Sequence, residues 1–166
     1  MSRTVTRTEL ILRESGLWAI LERTGNMVSV VETGHLDRAL AEFDLESWRT
    51  SGRLSPIGQA WIQAADRLRR NVAQRKYIRG GQAISREMLL KILLEQGYCC
   101  AITGRPFEPI GEGPWQPSVD RIDNGRGYEP TNLRIVSYIV NIAMNVWGEG
   151  PLIELAEQIM SRETPG

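Results

Sequence analysis

The chain has 166 residues, with 20 basic and 20 acidic side chains and 42% hydrophobic residues. That length suits one domain, or one domain with a helical extension, and it buries an ordinary core without staples. The neighbouring Cys99 and Cys100 make no disulfide framework. No apolar run approaches the ~20 residues of a membrane span, and "MSRTVTRTEL" has no apolar segment suited to secretion. A soluble protein of the reducing cytoplasm is therefore expected. The neutral total does not favour nucleic-acid binding, so local basic patches decide that question.

In chain order, Thr6 to Glu9 reads as a T-x-x-E capping box opening a helix. Leu10, Leu17 and Leu21 would lie on its buried face, with Gly25 as its stop. "MVSVVETG" reads as a short strand or a buried connection. Leu36, Ala39, Leu40 and Phe43 follow the i, i+3, i+4, i+7 pattern of a short helix. Ser55 and Pro56 are an N-cap and first-turn pair. They open a helix striped by Ile57, Ala60, Trp61, Ala64, Leu68 and Val72. It runs into a basic stretch, Arg67, Arg69, Arg70, Arg75, Lys76 and Arg79, with no acid among residues 67–79. That stretch is either a solvated face or a phosphate-contacting arm.

Gly80 and Gly81 look like a hinge. The boundary placed there divides a helical region, 1–80, from a second region, 81–166. Ser85 opens another helix that Gly97 ends, with Met88, Leu89, Ile92 and Leu93 inward. "YCCAITGRPFEPIGEGPWQP" is turn-rich. Leu152 to Met160 reads as an amphipathic helix packed on the domain, with Glu154 and Glu157 outward. The expected class is α+β, mostly helical.

The chemistry concentrates in 117–147. "SVDRID" alternates like a half-buried strand, "NGRGYEP" is a tight loop and "TNLRIVS" a second strand. "YIVNIAMNVW" is a helix with Ser137 as N-cap. Asp120 falls late on the first strand, while Asn141 and Asn145 fall one turn apart on the helix. A strand carboxylate facing helix amides gives hard oxygen ligands, which suit one Mg²⁺ or Mn²⁺ ion. Taken alone, Asp120 and Asp123 read equally as surface partners of Arg121 or Arg126. His35 lies far upstream and reads as a capping or packing residue.

At these residues the chain resembles the HNH endonucleases, the ββα-metal fold, over about Ile84 to Trp147. "CAITGRPF" is similar to the knuckle-derived turn that opens many members. Thr103 stands in place of a second cysteine, so no structural zinc is expected. "SVDRIDNGRGYEPTNLRIVS" resembles a subgroup of phage and bacterial genomes with D-R-I-D and G-Y-x-P-x-N. The resemblance implies a C-terminal ββα-metal module behind an α-helical N-terminal segment. It implies metal-dependent hydrolysis of DNA, double-stranded by preference, with a metal-bound water as nucleophile.

It assigns Asp120 and Asn141 to the metal, with Asn145 as a further ligand, and gives Asn132 the tying of the loop. Arg126 and Arg134 would contact phosphates. Arg121 stands where most members carry the water-activating histidine, and an arginine cannot act as a base. Three readings stay open there. Arg121 clamps the phosphate; Asp123 or the metal alone activates the water; or the fold is kept for binding without catalysis. The N-terminal helices are left for a protein partner or a homodimer.

Overall fold

The computed structural model describes residues 6–79, 81–110 and 112–162, without the side chains of residues 32 and 76–79. It is an α+β fold with two small antiparallel sheets. The chain opens with β1 (Thr6–Leu12), β2 (Trp18–Thr24) and β3 (Met27–Glu32), paired in that order. The expected first helix is therefore absent. Gly16 and Gly25 adopt positive φ, +81° and +61°, and turn the chain between strands where a helix would have to continue. Thr6 and Glu9 lie along β1; they face Thr24 and Leu21 across the ladder.

α1 (Arg38–Ser51) forms at the expected place, capped by Asp37, whose carboxylate accepts from the Ala39 N–H. Its Phe43 is exposed, unlike the expected stripe. α2 (Pro56–Arg79) begins at Ser55, whose Oγ accepts from the Gly58 N–H at 3.0 Å. Trp61, Ala64, Leu68 and Val72 on α2 are buried, while Ile57 is exposed. α3 (Arg86–Glu95) is capped by Ser85 as expected.

β4 (Pro117–Arg121) and β5 (Leu133–Ser137) form the second sheet; a short 3-10 turn at Pro130–Asn132 lies between them. α4 (Tyr138–Met144) follows directly, and α5 (Glu149–Arg162) closes the described chain. One apolar cluster joins the buried stripe of α2 to Leu89 and Leu93 of α3, Val119 of β4, Ile135 of β5 and Met144 of α4. That core crosses the glycine boundary at residue 80. Gly81 pairs with Tyr128, and the Gln82 N–H donates to the Tyr128 carbonyl at 2.8 Å. A side chain at position 81 would run into the Tyr128 backbone, so Gly81 is held close against Tyr128 at the place where a hinge was expected. α5 has no buried residue; Leu152 touches the core from its first turns. Among the described residues no helix is long and apolar enough to cross a membrane.

Candidate metal and nucleic-acid site

β4 and β5 pair so that Asp120 stands directly opposite Arg134. Cross-strand neighbours on one face meet, and here the Arg134 Nε donates to Asp120 Oδ2 at 2.9 Å. The same guanidinium donates through Nη1 to Glu149 at 2.9 Å. Burial alone would lower the pKa of Arg134, but the hydrogen bonds and charges of Asp120 and Glu149 outweigh it and raise the value. Arg134, expected as a phosphate contact, is thus tied to two carboxylates. Two carboxylates share one guanidinium, so the trio keeps a net negative charge.

Asn141 sits on α4 above β4. Its Nδ2 donates to Ser118 Oγ at 2.7 Å and to the Val119 carbonyl at 3.0 Å. The amide therefore clips helix to strand through its nitrogen and keeps its carbonyl oxygen for other use. Asn145 differs from expectation. α4 ends at Met144, and Asn145 is the C-cap at φ +42°, with its N–H donating to the Asn141 carbonyl. Asn is one of the few residues other than glycine that visits positive φ, so backbone geometry alone is a reason for its presence. The helix start is also met differently. Ser137 makes no side-chain cap, and the first N–H groups of α4 donate to the Gln116 and Pro114 carbonyls.

Arg121 is 8% exposed. Its Nη1 donates to the Asn124 and Arg126 carbonyls at 3.0 and 2.7 Å, and its Nη2 to Asn124 Oδ1. The guanidinium lies 5.5 Å from the Tyr128 ring centre. It organises the loop between the strands. Asn132 holds the same loop from the other side. Its Oδ1 accepts from the Asp123 N–H, and its Nδ2 donates to the Asp123 and Gly127 carbonyls. Asp123 accepts from the Gly125 N–H at 2.7 Å, which uses the carboxylate as a turn cap. Arg126 pairs with Glu129.

Asp120, Arg121, Asn141 and Asn145 line one cleft of about 380 Å³. Arg75 of α2, Asn124, Tyr128 and Tyr138 line it too. Asp123 does not line it, nor do Arg69 and Arg70. Arg67 lies at a neighbouring cavity, and Arg69 pairs with Asp66 at 3.8 Å. The side chains of Lys76 and Arg79 fall outside the described residues. Sequence reasoning missed Asn124, Ser118 and Glu149. Asn124 was signalled only by its place in a turn, and Glu149 by nothing local.

The chain turns tightly at Cys100, whose N–H donates to the Arg105 carbonyl while its own carbonyl accepts from the Gly104 N–H. The Cys100 Sγ accepts from the Ser137 N–H at 3.3 Å. Burial pushes this thiol up, but the side chain and N–H of Thr103, with the N–H groups of Ser137 and Ile102, more than offset it and bring it to about 7. Thr103 acts here as a donor to sulfur. Among the described residues no three His, Cys, Asp or Glu side chains gather as a metal cage. The cleft offers one carboxylate with amide oxygens. That set fits a hard, mostly hydrated Mg²⁺ or Mn²⁺ and not zinc. Comparison with family models, with curated proteins and with solved structures gives no match to this chain.

Proposed function

We propose that the chain is a divalent-metal-dependent endonuclease of the HNH type that hydrolyses nucleic-acid phosphodiesters in the cleft between β4 and α4. The observation that carries this reading is the convergence of Asp120, Asn141 and Asn145 on one cleft with Arg75 at its wall. Asp120 and Asn141 would hold the ion through their side-chain oxygens. When bound, it supplies Lewis acidity at the phosphate and lowers the pKa of a water molecule. Arg75 neutralises phosphate charge. Arg121 and Asn132 keep the loop in place, so Arg121 acts in this reading as a positioning residue and not as the clamp.

A second reading has its own support. Asp123, one of the expected ways to activate the water, caps its own turn and does not line the cleft. A binding module that grips nucleic acid without cutting fits that arrangement. Supercoiled plasmid separates the two. With Mg²⁺ or Mn²⁺ the protein should nick it, and EDTA should stop the reaction. Changes around a metal ligand cost ~10–100-fold, so Asp120→Asn, which alters a ligand itself, should lose at least that much. Asn141→Ala should do the same. Salt-sensitive plasmid binding with no nicking at high protein would remove the enzyme reading and leave the binding module.

A further inference from the structure

A second cavity, of about 570 Å³, adjoins the candidate cleft and shares Tyr138 and Ile142 with it. Pro114 and Ile139 give it further apolar wall, and Gln116, Glu112 and Arg67 bring polar groups to it. Arg67 Nη2 is buried and has no hydrogen-bond partner among the described residues. The Arg67 side chain as a whole is only partly buried and lines the cavity, so its charge is available to a ligand there. Burial and the neighbouring Arg70 both press against the Arg67 charge, with Glu112 the opposing carboxylate. The two cavities are strung along one helix. Arg67 and Arg75 are eight residues apart on α2, which is about 12 Å along its axis.

We propose that this second cavity is a subsite for an unpaired nucleotide next to the scissile phosphate. The base lies against Tyr138, Ile139 and Pro114, and the phosphate lies on Arg67. The inference rests on the nucleic-acid reading of the cleft. A base held in a duplex stack cannot enter a concave site, so the nucleotide is single-stranded or extruded. The aromatic and apolar walls suit a base face of any sequence. Arg67 supplies a positive charge suited to a phosphate.

The test is binding in EDTA, where the proposed hydrolysis cannot run. A fluorescent single-stranded oligonucleotide is compared with a blunt duplex of the same sequence, by anisotropy. Loss of one stacked base is expected to weaken binding roughly tenfold. The wild-type chain should therefore bind the single strand about tenfold tighter than the duplex. Arg67→Gln and Ile139→Gln should each erase that preference while duplex affinity stays within about twofold.

Deoxy and ribo forms of the oligonucleotide tell DNA from RNA. Equal wild-type affinity for single strand and duplex overturns the subsite, as do variants that weaken both ligands alike. The wild-type comparison does not depend on any variant folding. A chain that discriminates but never cuts plasmid keeps the subsite and loses the hydrolase. A chain that cuts without discriminating does the reverse.

Discussion

Cys100 shows how a turn can set the chemistry of one buried side chain. Its turn places backbone N–H groups and Thr103 around a buried sulfur. Such donors favour the thiolate. The thiol titrates near 9 when unperturbed and at about 7 in the fold. The fold therefore favours the ionised form. Its contribution to stability is complete above about 9 and is lost as pH falls through about 7. Urea unfolding of the wild-type chain and Cys100→Ala at pH 6 and at pH 9.5 should show the stability gap widening at the higher pH. A gap of constant size would mean that Cys100 stays a thiol in the fold. The sequence disclosed the turn from "CAITGRPF". It did not disclose the donor from Ser137, which comes from a residue 37 positions later.

At the scale of elements, legibility followed whether a segment's signal was local. α1 was readable from the Leu36 to Phe43 spacing, although Phe43 is exposed, and α2 and α3 from Ser55 and Ser85 at their starts with apolar stripes behind them. The first segment was not. Leu10, Leu17 and Leu21 fall at helical spacings, but they belong to two strands and the turn between them. The signal that could have corrected this was Gly25-Asn26, a two-residue hairpin turn between apolar runs.

The β4–β5 loop was half readable. Asn132 does the tying expected of it, but nothing in "DRIDNGRG" shows that Arg121 bends back to the Asn124 and Arg126 carbonyls. Arg121→Lys tests that reach, because an ammonium lacks the planar fork. It should cost about 1–2 kcal/mol in urea and speed hydrogen exchange at residues 123–127. Unchanged exchange there would leave the loop to Asn132 alone.

For the whole molecule, α2 is the spine. One face joins the core of β4, β5 and α4, and Ala65 meets Leu17 and Leu90 in a smaller cluster that docks the N-terminal strands. The corner that fixes α1 to this spine is polar and closed to solvent. His35 Nε2 lies 3.2 Å from Asp44 Oδ2, with both side chains about fully buried. Asp44 Oδ1 accepts from the Ser55 N–H and hydroxyl at 2.8 and 2.6 Å. A Cβ at position 58 would run into the Asp44 carboxylate, so a larger residue than Gly58 would displace that acid.

His35 thus packs as expected, but its partner is a buried acid of α1 that lies against the start of α2, where the N-terminal dipole favours negative charge. Removing that acid strands His35 and two Ser55 donors at once. Asp44→Ala should cost about 3 kcal/mol or more, as unpaired buried polar groups do. Asp44→Asn keeps an acceptor for Ser55 and should lose less. Because the core crosses residue 80, fluorescence and far-UV circular dichroism should still report a single urea transition for both variants. A loss below about 1 kcal/mol, the value of an ordinary surface contact, would show that the corner is held by its apolar neighbours. Two separate transitions would show that the strands and α1 fold apart from the cleft.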